Sequence, residues 1–326
     1  MTKVDLITGI LGSGKTTFLR LYAGYLLRSG QRIAILENDF GAVNVDMLLL
    51  QDLKSERCQL EMITGGGDPD CHKRRFKTQM IALGMQHFDR VLIEPSGIYD
   101  MDEFFDTLYE PPLDRWFEID SILTVLDAGM DLPLSEQMEY LFASEAAHSG
   151  KLLLSKLTPE QLQAPQAAGA PVLDYLNAAL TRIHCDRQFL PSDLIACDWS
   201  SLTDAQFQAL SESGYRGASY VKRFSPEMIR SHVHYFMHIA LPETRIRPIL
   251  EGILHDPACG QIYRIKGSLP DGHGGWYKVN ITQKQTELSP VPDGQAVLII
   301  IGDDLHPERL DGHLHQENTD PEYVFI

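Results

Sequence analysis

The sequence predicts an α/β fold, a mostly parallel sheet with flanking helices, followed by a small α+β domain. Three observations predict it. Short apolar runs at Val4–Ile7, Arg32–Leu36, Arg90–Ile93, Ser121–Leu126 and Lys151–Leu154 alternate with helical stretches, the rhythm of strand–helix–strand units. The first run leads straight into Gly9–Thr16, GILGSGKT, which fits the phosphate-binding loop pattern G-x-x-x-x-G-K-[ST]. Beyond residue 218 the rhythm changes to strand-like stretches around one amphipathic helix.

Taken in order, the first run supplies a buried strand and the loop behind it supplies the chemistry. Gly9, Gly12 and Gly14 let the backbone curl so that its N–H groups, Ser13 among them, point at phosphate oxygens. Lys15 reaches the outer phosphates as a flexible cation, and the Thr16 hydroxyl is placed to ligate the accompanying Mg²⁺. A helix over Lys15–Leu27 points the positive end of its dipole at the same anion and ends near Gly30. The run Arg32–Leu36 then delivers Glu37, Asn38 and Asp39 to the carboxyl edge of the sheet, where open α/β sheets hold their ligands. Asp39 reads there as a second carboxylate facing the metal, while Asp46 reads equally as a helix cap.

The third run leads into Glu94-Pro95-Ser96-Gly97, an acidic-x-x-Gly element. Glu94 can hold Mg²⁺ directly or through water, and the Gly97 N–H can meet the γ-phosphate. The fourth and fifth runs end at Asp127 and at Ser155-Lys156. Thr158–Pro171, rich in Ala, Gln and Pro, predicts a surface loop or frayed helix, and Ser211–Ala218 a boundary between domains 1–210 and 218–326. The second domain is expected to carry strands at His234–Ile239, Gln261–Ile265, Gly275–Ile281 and Ala296–Ile301. Between the first two lies a helix presenting Ile246, Ile249, Leu250, Ile253 and Leu254, and a short helix follows at Pro307–Leu314. His232, His234 and His238 fall on one face of the first of these strands, an exposed face by the simpler reading. Gly302–His306 reads as a turn and helix cap.

Composition bounds the partners. A chain of 326 residues, 44% hydrophobic and 22% charged, is long enough for about two domains with proper cores. Its formal charge of −17, from 28 Lys+Arg against 45 Asp+Glu, sets up a field that repels nucleic acid and anionic membrane, so neither is expected as a partner. Five irregularly spaced cysteines and a start that reads as a strand rather than a signal peptide predict a reducing, cytoplasmic home. No apolar stretch approaches the ~20 residues that cross a bilayer. Thr64–His72, TGGGDPDCH, gathers Asp68, Asp70, Cys71 and His72, ligand types that suit a transition metal such as zinc; a polar, glycine-rich loop gives the same pattern.

Together GILGSGKTT, ENDFGAVNVD, RVLIEPSG, TVLDA and, near the far end, YRIKGSL, WYKVN and LIIIGDDL resemble the CobW-like metallochaperone GTPases, relatives of HypB and UreG, over nearly the whole chain. The resemblance implies a P-loop NTPase domain of the SIMIBI class followed by a CobW C-terminal domain. It implies binding and slow hydrolysis of GTP with Mg²⁺, coupled to delivery of Zn²⁺ or Co²⁺ to a client metalloprotein. The family's phosphate-loop roles carry over to Gly9, Gly12, Gly14, Lys15, Thr16 and Thr17, and its switch roles to Asp39 and Glu94. Lys15, Asp39 and Glu94 are thus the candidate catalytic residues. Two departures stand out. The family's Cys-x-Cys-Cys is replaced by Gly65, Gly66 and Gly67 with the lone Cys71. The guanine-reading Asn-Lys-x-Asp is replaced by Ser155-Lys156-Leu157-Thr158, which leaves Lys156 to pack on the base and opens the site to ATP as well as GTP. Two functions are compatible with this pattern, a nucleotide-hydrolysing metal-trafficking protein and a non-catalytic nucleotide-binding module that acts by docking to a partner.

Overall fold

The computed structural model describes residues 1–39, 46–64, 69–97, 101–224, 233–283 and 285–325. Contacts divide the chain into two units, Met1–Phe40 with Leu49–Pro226, and Gly41–Leu48 with Glu227–Ile326.

The first unit is built on seven parallel strands: β1 (Thr2–Thr8), β2 (Ile33–Asp39), β3 (Cys58–Thr64), β4 (Arg90–Pro95), β5 (Phe117–Asp127), β6 (Lys151–Ser155) and β7 (Leu194–Ala196). Their order is β3-β2-β4-β1-β5-β6-β7, so β1 and its loop lie in the middle of the carboxyl edge. The helices are α1 (Lys15–Arg28), α2 (Pro69–Gly84), α3 (Met101–Leu108), α4 (Leu113–Trp116), α5 (Glu136–Ala146), α6 (Pro165–Arg182) and α7 (Asp204–Ser211). Parallel strands joined by helices must be buried on both faces, which is why β4 carries the apolar run Val91–Ile93 and is buried throughout. Phe18, Leu19, Tyr22 and Leu26 of α1, with Phe207 of α7, cover one face. Phe76, Met80 and Leu83 of α2, with Phe104 and Leu108 of α3, cover the other.

At the amino edge a charged cluster sits where the apolar pattern would put a hydrophobic residue. Asp5, fully buried, accepts from Arg90 Nη1 at 2.5 Å on each oxygen, from Tyr22 OH at 2.6 Å and from the Ser121 N–H at 3.2 Å. Arg90 also meets Asp120 at 2.8 Å. Burial pushes the Asp5 carboxyl up to about 6, against the opposing pull of Arg90 and the Tyr22 hydroxyl.

Several local expectations change. Much of Thr158–Pro171 is regular: a 3₁₀ turn at Gln161–Gln163 and then α6, with Pro165 in its first turn. Gly169 lets α6 close onto the sheet, since a Cβ there would meet Leu194 Cδ2 at 2.5 Å. Packing of Val172, Leu173, Leu176 and Leu180 thus overrides a composition that suggests a loop. The segment expected as a boundary instead packs on the first unit, with Ser149 bridging Tyr215 and the Ile122 N–H donating to Gly214 O, and the division falls after Pro226. The sequence pattern does not announce the edge strand β3, because Gln59 and Glu61 interrupt its apolar run.

The second unit is an antiparallel sheet of β8 (Val233–Met237), β9 (Gln261–Pro270), β10 (Trp276–Thr282), β11 (Gln285–Val291), β12 (Val297–Asp303) and β13 (Val324–Phe325), in the order β11-β10-β9-β12-β8-β13. It carries α8 (Glu243–His255) and α9 (Pro307–His315). Ile246, Leu250 and Ile253 of α8 and Leu310 and Leu314 of α9 meet Ile265, Ile281, Leu298 and Ile300 of the strands in one core. β11, polar and holding Pro290, lies at the edge, the place where a missing N–H breaks no ladder. Of the three histidines read as one strand face, His232 lies outside the described residues, His234 is in β8, and His238 follows the strand with φ 53°, so the alternation stops at Met237. Gly302 and Asp303 are not turn but the end of β12, and Asp303 accepts from Tyr263 OH; the turn begins at Asp304, with φ 48°, and His306 precedes α9 without a side-chain cap bond. Among the described residues, no helix is long and apolar enough to cross a membrane.

Removing Asp5 leaves the Arg90 guanidinium buried with Asp120 as its remaining ion-pair partner, a change that typically costs about 3–5 kcal/mol. Asp5→Ala is expected to lower the urea midpoint accordingly at neutral pH; an unchanged midpoint would contradict the role given to the cluster.

Candidate nucleotide site

The loop after β1 folds as its glycines require. Gly9, Gly12 and Gly14 have φ of 132°, 82° and 106°, values that other residues rarely adopt. At Gly9 sterics add a second reason, because a Cβ would lie 2.4 Å from Val125 O. α1 starts at Lys15, so the helix's unpaired N–H groups open toward the loop. Lys15 is buried and donates to Gly9 O at 2.8 Å, which holds the ammonium across the loop. Thr16, next on the helix and also buried, donates to Glu94 Oε1 at 2.9 Å. Thr17 points to solvent.

Glu94 comes from β4, the strand beside β1, and is itself buried. Parallel register sets Glu37 of β2 beside it, a second buried carboxyl group at the same edge. The turn that follows closes on the phosphate loop: a Cβ at Gly97 would stand 2.4 Å from Leu11 N, so only glycine permits this approach. Ser96 N–H donates to Asn38 O at 2.6 Å and ties the ends of β2 and β4 together. Asp39 ends β2, but its side chain lies outside the described residues, as does that of Asp46.

Two unpredicted groups brace the loop. Glu145, at the end of α5 and buried, accepts from the Gly9 N–H at 2.8 Å. No local motif marks it, since it reaches the loop from more than a hundred residues away. Ser155, at the end of β6, donates to Ser13 O at 2.5 Å and lies 3.0 Å from Leu126 O. Trp199, following β7, sets its indole edge-on to Phe18 of α1, with centroids 5.4 Å apart. Among the described residues, three polar groups at this edge have buried side-chain atoms with no hydrogen-bond partner: Ser13 Oγ, both atoms of the Asn38 amide, and Trp199 Nε1. An unmet buried polar group costs about 1–3 kcal/mol, so such a concentration is what a ligand site looks like.

The segment read as base-recognising has other engagements. Lys156, with φ 54°, pairs with Asp127 at 2.6 Å. The Thr158 hydroxyl accepts from Gln161 N–H at 3.3 Å while the Thr158 N–H donates to Gln161 Oε1 at 2.9 Å, a reciprocal cap for the 3₁₀ turn. Of the Thr64–His72 group, Asp68 is outside the described residues and so is the Asp70 side chain, while Cys71 and His72 stand in the first turn of α2, Cys71 partly exposed and His72 buried. Among the described residues, neither Cys71 nor His72 belongs to a cluster of three metal-ligating groups.

Known proteins resemble part of the chain. The "Zinc chaperone YeiR" of Escherichia coli (strain K12) is 33% identical over 171 residues, 51% of each chain. The "Zinc chaperone YjiA" of the same organism is 30% identical over 164 residues, 47% of this chain and 48% of that protein. The "Zinc chaperone CobW" of Pseudomonas aeruginosa is 26% identical over 220 residues, 58% of this chain and 57% of that protein. The chain thus spans about half the length of the curated relatives it matches. A family model described as "CobW/HypB/UreG, nucleotide-binding domain" matches residues 3–170, the stretch that carries the phosphate loop, Glu94 and Ser155. The chain belongs to the CobW/HypB/UreG family.

Proposed function

We propose that the chain binds and slowly hydrolyses a purine nucleoside triphosphate with Mg²⁺, GTP foremost, and uses that cycle to handle a divalent transition metal such as zinc for a client metalloprotein. The observation that carries the nucleotide part is the buried Lys15–Thr16–Glu94 constellation beside a loop whose glycines open its amides to an anion. The metal part follows from membership of a family whose named relatives are zinc chaperones.

Each residue has a part in binding or positioning. Lys15 leaves Gly9 O to neutralise the outer phosphates, a charge-assisted bond replacing a neutral one. Ser13 Oγ and the loop amides add neutral donors. Thr16 and Glu94, hard oxygen ligands 2.9 Å apart, fit Mg²⁺, which when bound neutralises charge that builds on the phosphates. Asp39 supplies a further carboxylate, and the Gly97 N–H meets the terminal phosphate. Hydrolysis adds water to the γ-phosphorus and releases the diphosphate, and the work of the site is alignment and charge stabilisation rather than a dedicated base. Ser155 fills the place of the family's Asn by holding Ser13 O, so the loop is braced even though the base-reading aspartate is gone.

Lys15→Ala is expected to weaken triphosphate binding by roughly 100-fold, the value of a lost charge-assisted bond of about 3 kcal/mol, while the far-ultraviolet dichroism stays unchanged. Fluorescent-nucleotide titration measures it, and unaltered affinity would sink the assignment. With Thr158 committed to its cap, the preference for GTP over ATP should be small. Thr158→Asp, which keeps a capping side chain, should raise that preference about 10-fold by competition titration. Turnover of GTP, followed as phosphate release with and without Zn²⁺ or Co²⁺, decides between this function and a non-catalytic docking module.

A further inference from the structure

We infer that Asp256, Cys259 and His313, in the second unit and far in sequence from the family's metal motif, form a three-ligand site for a divalent transition cation of the zinc or cobalt type. Among the described residues this is the one group of three or more His, Cys, Asp or Glu side chains close enough to share an ion. Asp256 Oδ2 stands 2.9 Å from His313 Nε2 and 3.7 Å from Cys259 Sγ, and all three ligand atoms lie within 4.8 Å of one another. Around a tetrahedral ion with bonds of about 2.0–2.3 Å, ligand atoms sit roughly 3.2–3.8 Å apart. The Asp256–Cys259 pair already has that spacing, and the Asp256–His313 pair needs to open by only a few tenths of an ångström.

Local structure builds the group. Asp256 and Cys259 bracket the 3₁₀ turn Pro257–Cys259 that follows α8, and a three-residue offset on such a turn sets side chains one above the other. Asp256 Oδ1 accepts from the Ala258 N–H at 2.9 Å, which fixes the carboxylate and leaves Oδ2 for the ion. His306 N–H donates to Cys259 O at 3.1 Å and ties the turn to the start of α9, whose last turn carries His313. His313 is 40% exposed, and with Asp256 it lines a cleft of about 460 Å³, so the ion has a path from solvent. Cys259, the third ligand, is buried.

The donor set selects the cation. Sulfur and imidazole nitrogen disfavour Mg²⁺ and Ca²⁺ and suit Zn²⁺ or Co²⁺. Three protein ligands leave one position open, the mark of a site whose ion can leave or pass to another ligand. Cysteine binds a metal as the thiolate, so metal uptake should release protons. The inference stands apart from the nucleotide reading, because it can be tested with no nucleotide present.

The test is a Co²⁺ titration of the full chain carrying Cys71→Ser, in nucleotide-free, metal-stripped buffer. The expected result is one bound equivalent with a thiolate-to-cobalt charge-transfer band that Zn²⁺ abolishes and Mg²⁺ does not. Cys259→Ser should remove the band, and His313→Ala, a surface change that leaves the core intact, should weaken Co²⁺ binding about 10-fold or more. Melting in chelator reports whether each variant folds, and His313→Ala carries the test if Cys259→Ser does not. Unchanged affinity in folded His313→Ala, or no thiolate band in the Cys71→Ser chain, would overturn the assignment.

Discussion

The site at the carboxyl edge of the sheet depends on an ion pair at the opposite edge. Asp5 and Arg90 lock β1 to β4, and Ser121 N–H and Asp120 extend the lock to β5. In a parallel sheet buried on both faces, a slip of one residue turns every side chain to the other face. The apolar runs within β1 and β4 specify register weakly, because a slip replaces one hydrophobic residue by another. One charged pair that can be satisfied in a single alignment removes the ambiguity. With it Leu6 stands opposite Ile93, and the next residues bring Glu94 to the Thr16 hydroxyl. A buried pair of this kind adds little net stability over apolar packing, so its worth here lies in uniqueness of alignment.

The fold was legible because its signals are periodic and local. Five apolar runs gave five of the seven parallel strands, and GILGSGKT gave the loop, its helix and the side chains of Lys15 and Thr16. What the sequence hid is long-range. Glu145 bonds the Gly9 amide and Ser155 the Ser13 carbonyl, contacts that span more than a hundred residues and leave no spacing to read. β3 was hidden by Gln59 and Glu61 on an edge strand, where polar residues meet water at no cost. α6 was hidden by its prolines and glycine, whose meaning appears only once Gly169 is seen against Leu194. The Asp256–Cys259–His313 group joins a turn to the last turn of a helix more than fifty residues later, so no metal-ligand spacing announces it.

The two candidate ligand centres differ in donor chemistry. Thr16, Glu94 and Glu37 offer oxygen alone, which suits a hard, strongly hydrated cation beside phosphates. Asp256, Cys259 and His313 offer one oxygen, one sulfur and one nitrogen, which suits a softer ion. On the functions proposed for the two centres, such a division would keep an ion that travels with a nucleotide from competing for the place of the other, since each set of ligands discriminates by hardness before geometry is considered.

The approach of Gly97 to Leu11 has a mechanical side. With a Cβ excluded from the space between them, the end of β4 and the phosphate loop meet backbone to backbone, with no side chain to act as a cushion. Side chains absorb small displacements by changing rotamer, whereas peptide planes in contact cannot. The two segments therefore share one degree of freedom: whatever shifts the loop by a few tenths of an ångström shifts the turn after Glu94 by the same amount.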